Sequence, residues 1–477
     1  MRKGRIILAA VLAIVVLAAA GGVAWERGLF DRGGKANETA LDVAPPEGLD
    51  LPAPRPPKPV LDATDGPRVS DAALRDQVAP LLGDRDLGSH VGFAAYDLTH
   101  GRRLWSSGGG EQYIPASTLK LLTSVAALES IGGDQVFTTS TALRPARGKQ
   151  PPRVVLVGGG DPLLSSLSTK AAAKEYPQPA TLDELAEETA AALDDQGIRR
   201  VSLGYDVSRY TGPSDNPTWE SDYIPEEVPP ISPLWVDEGI DPANPILRVT
   251  DPARQATEVF GADLADRGIK VVGQPTQATV GTGHRLGAVD SAPLRELVGY
   301  ILDNSDNAGA EILLREVAVA MDRPASFAGG VAAVRQVLTR VGVPMARVKM
   351  FDGSGLSRSN RVTLEAMLAV LRIASDQRHP ELRDVVSRLP VAGYSGTLAY
   401  RFLDDRSDAG LGVVRAKTGT LSHVHGMAGT VVDRDGVAVA FVALVDRVPL
   451  IDTLDARQIL DDIAAAVAEC GCSRRAR

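Results

Sequence analysis

Ile114-Pro115-Ala116-Ser117-Thr118-Leu119-Lys120-Leu121-Leu122 decides how this chain of 477 residues is read. The segment runs on, rich in Leu, Ala and Val, to Ile131 and stops at Gly132-Gly133, so the pattern predicts a helix over 117–131 with Pro115 just ahead of it. Residues three apart on a helix share a face, which brings the Lys120 amine to the Ser117 hydroxyl. A serine hydroxyl is a weak nucleophile until a neighbouring base takes its proton, and an amine at this spacing is such a base. At a helix N-terminus, unpaired N–H groups and the positive end of the macrodipole favour negative charge developing nearby.

Two later strings complete a set. Ser305-Asp306-Asn307 falls at the junction between predicted helices over 294–303 and 308–321, and Lys417-Thr418-Gly419-Thr420 lies along a predicted strand over 412–420. Singly, each has a plain structural reading: Ser117 as a helix cap, 305–307 as another cap, Lys417 as a solvent-facing strand residue. S-x-x-K or S-x-N alone is expected by chance on the order of once in such a chain, and K-T-G is rarer by about tenfold. Capping does not explain a lysine one turn after the first serine together with K-T-G-T on a late strand. The ordered set is the known signature of penicillin-binding proteins and serine β-lactamases, and it points to serine acyl transfer.

With these strings the chain resembles low-molecular-mass penicillin-binding proteins, D-alanyl-D-alanine carboxypeptidase/endopeptidases that carry a large insert after S-x-x-K. The resemblance spans most of residues 90–465 and includes Leu156-Val157-Gly158-Gly159-Gly160-Asp161-Pro162, Asp352-Gly353-Ser354-Gly355-Leu356-Ser357-Arg358, and Leu389-Pro390-Val391-Ala392-Gly393 with Gly396-Thr397. It implies an α/β (α+β) fold: a penicillin-binding-protein/β-lactamase-like domain with a central antiparallel sheet flanked by helices, plus inserted accessory domains. It also implies an acyl-enzyme on Ser117, with Lys120 as base, Ser305 relaying a proton, Asn307 holding Lys120 and the peptide carbonyl, and Lys417 adding positive charge. Thr418, Gly419 and Thr420 would bind substrate, backbone N–H groups of Ser117 and Thr420 would form the oxyanion hole, and Arg358 would meet the charged end of a diaminopimelate-type side chain or else form a structural salt bridge. Peptidoglycan stem peptides are the implied substrate and β-lactams the implied inhibitors; no cofactor and no metal are expected.

Between Lys120 and Ser305 lie 184 residues, far more than a connection requires. Strand patterns over 154–157 and 201–205 and helix patterns over 182–196 and 253–267 fill the interval. Residues 141–289 are therefore assigned to one or two accessory domains, and 70–140 with 290–470 to a discontinuous catalytic domain. A hairpin over 91–98 and 102–106 precedes the nucleophile. Strands over 427–432 and 437–445 follow the last string, and an amphipathic helix over 452–468 closes the chain over the sheet.

The remaining features set limits. The 51 Lys and Arg against 60 Asp and Glu give a net charge of -9, which offers no general attraction for nucleic acid. Arg2, Lys3 and Arg5 precede an uncharged stretch over 6–25, so residues 1–28 read as a signal peptide or a membrane anchor, and the enzyme as extracytoplasmic, in the cell envelope, anchored to the outer face of the cytoplasmic membrane or secreted. Residues 29–69, proline-rich and poor in aromatics, read as a spacer. Cys470 and Cys472 imply no disulfide framework and read as an incidental pair in a frayed tail. His423-Val424-His425 lacks further ligands nearby and reads as two polar edge-strand residues; Gly158-Gly159-Gly160-Asp161 lacks the following Gly-Lys-Ser/Thr of a phosphate loop and reads as a tight turn. Three alternatives stand beside the carboxypeptidase. A serine β-lactamase lacks its expected Glu-x-x-x-Asn after Ser305. A transpeptidase differs only in the acceptor. A non-catalytic binding module would be marked by loss of the nucleophile or base, whereas Ser117, Lys120, Ser305, Asn307 and Lys417 are all present.

Overall fold

In the computed structural model the chain divides into two units, Met1–Leu61 and Asp62–Arg477. The structure describes residues 68–146, 148–281 and 283–470, all within the second unit. The N-terminal apolar segment, nearly all of the proline-rich spacer and Cys472 lie outside the described residues. Among the described residues no helix is long and apolar enough to cross a membrane.

Along the chain run α1 (Asp71–Leu82), β1 (Val91–Asp97), β2 (Arg102–Ser107) and α2 (Lys120–Ile131). The long interval then holds β3 (Thr138–Arg144), β4 (Arg153–Val157), α3 (Leu182–Asp194), β5 (Arg200–Asp206), β6 (Ile240–Asp241), β7 (Asn244–Arg248), α4 (Pro252–Asp266), β8 (Lys270–Val271), β9 (Thr276–Gln277) and β10 (His284–Asp290). A helical stretch follows, α5 (Leu294–Asn304), α6 (Asn307–Ala320), α7 (Phe327–Arg340) and α8 (Leu364–Ala374), and the chain ends with β11 (Arg415–Leu421), β12 (Val424–Val432), β13 (Ala438–Val445) and α9 (Thr453–Glu469).

The central sheet has the antiparallel order β11-β12-β13-β1-β2, which joins the two ends of the described chain through the β1–β13 pair. Side chains along a strand alternate between faces, and here both faces are covered. Phe93, Ala95, Val439, Phe441, Ala443 and Val445 pack with Ile459 and Ile463 of α9 and Leu74 and Val78 of α1. Ala94, Ala440, Val442 and Leu444 meet the opposite layer, with Leu122 of α2 and Met367 and Leu371 of α8. Each large apolar side chain so buried contributes about 1.5–3 kcal/mol. Two-sided burial explains why β13 reads as an unbroken apolar run, AVAFVALV, and not as an alternation.

The interval between the first two strings builds its own mixed sheet, in the order β10-β3-β4-β5-β8 with β9 beside β5. Its β4–β5 and β5–β8 pairs are parallel, crossed over by α3 and α4, and Leu156, Leu185, Leu193, Leu203, Phe260 and Leu264 form a separate apolar cluster between sheet and helices. The Gly158-Gly159-Gly160 run is a close approach and turn: Gly160 sits at φ +85°, and a Cβ at Gly158 would stand 2.7 Å from the Pro233 carbonyl oxygen. Asp161 follows with its carboxylate accepting from the Leu163 N–H at 2.8 Å.

Two local expectations change, and one helix was not foreseen. The strand expected from residue 412 begins at Arg415, because Gly412 takes φ +75° in the preceding turn. Helix α7 was hidden by Gly329-Gly330; a Cβ at Gly330 would come 2.5 Å from the Leu314 carbonyl oxygen, so that glycine admits α6. Cys470 is not in a frayed tail: it is 1% exposed, packed into the cluster under α9.

Candidate active site

Ser117 does not open an α-helix, as the pattern suggested. It sits in a 3-10 turn, Ala116–Leu119, from which α2 continues at Lys120. Ala116 takes φ +46°, an uncommon conformation for a residue with a Cβ, and the surroundings hold it there. Gly355, at φ +92°, lies so close that a Cβ would overlap the Ala116 carbonyl oxygen, and a Cβ at Gly419 would stand 2.7 Å from the Pro115 oxygen. The Thr118 hydroxyl donates to the same Pro115 oxygen at 2.7 Å. The turn that carries Ser117 is thus clamped between the 352–358 loop and strand β11.

Lys120 is fully buried and uses all three of its N–H donors. Its Nζ donates to Ser117 Oγ at 3.0 Å, to Asn307 Oδ1 at 2.7 Å and to the Ser354 carbonyl oxygen at 2.9 Å. Burial pulls its pKa down to about 8, against the charges of Asp306, Glu311 and Asp352, which favour the protonated amine. At pH 7 roughly a tenth of the amines are then neutral and able to accept a proton.

The second string is presented by a break between helices. Ser305 ends α5 at φ +59°, Asp306 caps α6 by accepting from the Gly309 N–H at 2.9 Å, and Asn307 is the first residue of α6. Burial raises the pKa of Asp306. One turn further on, Glu311 accepts from the Gly353 N–H at 3.0 Å and the Ser354 N–H at 2.7 Å, which aims the Ser354 carbonyl at Lys120. Asp352 ties the rest of that loop, accepting from Gly355 N at 3.1 Å, Asn360 Nδ2 at 2.7 Å and Trp219 Nε1 at 2.9 Å.

The third string lies on β11, the outer strand of the sheet, in register Lys417↔Ala428, Thr418↔Met427, Gly419↔Gly426 and Thr420↔His425. Lys417 is fully buried and donates to the Thr418 carbonyl oxygen at 3.0 Å; burial and the nearby Lys120 charge push its pKa well below the ordinary lysine value. Thr418 Oγ1 donates to Thr397 Oγ1 at 2.9 Å.

A cleft of about 510 Å³ opens over these groups. Ser117, Ser305, Asn307, Thr397, Thr418 and Thr420 line it together with Tyr300, Arg401 and Arg457, and the interval between the first two strings contributes Glu227, Glu238 and Arg248. Glu238 arrives on a turn, Asp237–Gly239, whose three residues all have positive φ (49°, 53° and 67°), and it accepts from Tyr300 Oη at 2.7 Å. Burial and then the Asp306 charge raise its pKa to about 7.

The structure therefore gathers Ser117, Lys120, Ser305, Asn307, Lys417, Thr418, Gly419 and Thr420 around one cleft. Arg358 is held at the end of β11: its Nη2 donates to the Ser422 carbonyl oxygen at 2.9 Å. His423 lies in the β11–β12 turn at φ +65° with Nδ1 at 2.8 Å from the Val448 carbonyl oxygen. His425 is not on an edge strand, since β12 runs between β11 and β13; it is 1% exposed, and burial lowers its pKa to about 4. Sequence reading missed Glu311, Glu238, Arg248, Arg401 and Arg457. For Glu311 a signal existed: an acid four residues after Asn307, on a helix otherwise lined by Ala308, Ala310, Ile312, Leu313 and Leu314. For the others no local pattern singles them out.

A family model described as the D-Ala-D-Ala carboxypeptidase 3 (S13) family matches residues 74–244 and 240–470. The carboxypeptidase DacB of Mycolicibacterium smegmatis is 34% identical over 475 residues, covering 98% of this chain and 96% of that protein. A D-alanyl-D-alanine carboxypeptidase of an Actinomadura species is 28% identical over 447 residues, covering 79% and 81%. The crystal structure of penicillin binding protein 4 (dacB) from Haemophilus influenzae superposes with a TM-score of 0.67 at 21% identity, over 83% of this chain and 98% of that one, and shares the fold. The chain belongs to the D-Ala-D-Ala carboxypeptidase 3 (S13) family, and its activity is that of a serine-type D-Ala-D-Ala carboxypeptidase acting on peptidoglycan.

Proposed function

We propose that this activity runs through an acyl-enzyme on Ser117, formed when its Oγ attacks the carbonyl of the terminal D-Ala-D-Ala bond of a stem peptide. Lys120 takes the hydroxyl proton, Ser305 relays a proton to the departing amine, and Asn307 holds both Lys120 and the acyl-side carbonyl. The N–H groups of Ser117 and Thr420 receive the developing oxyanion, Lys417 adds positive charge, Thr418 and Thr420 bind the terminal carboxylate, and water then releases the shortened peptide. The observation that carries this reading is the buried Lys120 amine at 3.0 Å from Ser117 Oγ, with its pKa lowered to about 8.

The same acyl-enzyme chemistry accepts a β-lactam carbonyl. Residues 141–289 act as an accessory domain that supplies one wall of the cleft, which supports endopeptidase action on cross-linked peptides alongside carboxypeptidase action. The enzyme works outside the cytoplasm, held at the membrane or released according to the fate of residues 1–28. Incubation of the purified protein with a fluorescent penicillin, followed by peptide mapping, tests the assignment. Label is expected on the Ser117 peptide and absent in Ser117→Ala; label on another serine, or none, overturns it.

A further inference from the structure

Three guanidinium groups line the cleft, and they are not equivalent. Arg248 faces acids: its charge acts on both Glu238 and Asp306. Arg401 is built into the wall. Its side chain is 10% exposed, it pairs with the buried Asp461 at 2.6 Å, and its Nη2 donates to the Arg457 carbonyl oxygen at 2.8 Å. Arg457, on α9, lines the cleft with no hydrogen bond or ion pair to its guanidinium among the described residues. Its charge is disfavoured by burial and by Arg401 beside it, and only Asp461 opposes them. Two guanidinium groups thus share one carboxylate.

Among the described residues no other acid opposes burial and Arg401 at Arg457. His425, directly opposite Thr420 in the strand pairing, is buried with neither ring nitrogen bonded, and burial together with Arg457 and Arg401 keeps it neutral. Lys417 is driven towards the neutral amine by burial and the Lys120 charge. A partly desolvated, unpaired guanidinium that lines the same cleft as Thr397, Thr418 and Thr420, and whose charge reaches His425, the strand partner of Thr420, favours one class of ligand group, a planar anion able to accept two parallel N–H bonds.

We propose that Arg457, seated against Arg401, is the principal cation for the α-carboxylate of the residue that leaves, and so a specificity-determining residue lying outside all three sequence strings. The inference rests on the acyl-transfer reading above. Arg401 acts by placement, fixing the α9 backbone at Arg457 through its 2.8 Å bond to that carbonyl oxygen.

The test compares one N-acylated tripeptide ending in D-Ala-D-Ala with its C-terminal amide, on wild type, Arg457→Gln and Arg457→Lys, after melting curves have established that each variant folds. For wild type, kcat/KM favours the free carboxylate, and the preference shrinks as salt is raised. Arg457→Gln lowers kcat/KM about 30- to 100-fold on the carboxylate and less than about threefold on the amide, and Arg457→Lys restores part of the difference. Equal losses on both peptides, or no loss on either, overturn the proposal. Calorimetric binding of the same two peptides to Ser117→Ala protein reads the site without turnover. A carboxylate preference that disappears in Ser117→Ala/Arg457→Gln supports the site even if wild type released no D-alanine, an outcome that would instead sink the acyl-transfer reading. A preference that survives the arginine change, or is missing from the start, overturns the carboxylate site alone.

Discussion

The helical side of the cleft and its strand side each bury one lysine, in opposite surroundings. Lys120, on α2, is enclosed by acceptors: Ser117 Oγ, Asn307 Oδ1 and the Ser354 carbonyl oxygen, with Asp306, Glu311 and Asp352 behind them. Lys417, on β11, has the carbonyl oxygen of its own neighbour Thr418, with Lys120 as the strongest nearby charge and Asp303 the opposing one. The first amine is held near neutrality by a balance between burial and carboxylates; the second is pushed far down with little to oppose it. Burial alone does not give a buried amine a working proton affinity; the carboxylates and carbonyls packed around it do. The two lysines suit two tasks, one exchanging a proton with Ser117, the other becoming charged when an anion enters.

The contrast can be broken first at Lys120. Lys120→Ala is expected to slow acylation of Ser117 by a β-lactam about 10³-fold, the range of a lost general base, while leaving the nucleophile in place. In wild type the acylation rate should climb as pH rises through about 8, because the reactive form is the deprotonated amine. Stopped-flow labelling across pH 6 to 9.5 checks both, and a flat profile would remove the proton-transfer role. A smaller and more pointed effect is expected at Glu311. Its carboxylate receives the Gly353 and Ser354 N–H groups; burial and the neighbouring Asp352 charge raise its own pKa to about 8, and in its charged form it favours protonated Lys120. Glu311→Gln should therefore lower acylation about 10- to 100-fold through misplacement of Ser354. It should also move the pH midpoint below that of wild type, since a charge that stabilised the ammonium has gone. A midpoint that stayed put or moved up would show that the carboxylates do not set the balance.

These assignments divide by how the information lies along the chain. The contact of Lys120 with Ser117 was legible because the two are three residues apart, and the strand carrying Lys417 because K-T-G-T sits before two apolar runs ending in α9. The central sheet was legible at its β1–β2 and β12–β13 hairpins, where partners are joined by short turns. The clamp on Ser117 was not, since Gly355 and Gly419 act on Ala116 and Pro115 from more than 200 positions away and their effect is a missing Cβ. Glu238, Arg248, Arg401 and Arg457 were illegible for the same reason: each is an isolated charged residue whose meaning comes from the wall it reaches. The 3-10 turn at Ser117 went unseen because its cause is that distant clamp, whereas helix propensity is read locally.

The smallest expected effect sharpens the comparison from the strand side. Lys417 holds its proton less tightly in the folded protein than in the unfolded chain, so at neutral pH the unfolded state binds more protons and stability rises with pH until the ordinary lysine value is reached. Lys417→Met keeps the volume and removes the amine, and nothing but the Thr418 carbonyl oxygen loses a bonded donor. It should stabilise the fold at pH 7 by about 1–3 kcal/mol, the scale for a poorly compensated buried polar group, with the gain shrinking towards pH 10. Lys120→Met should gain less or lose outright, because the buried Ser354 carbonyl oxygen and the half-buried Asn307 Oδ1 would lose their donor. Urea unfolding of both variants at pH 7 and pH 9.5 reads the difference, and equal responses would mean that the two amines are solvated alike.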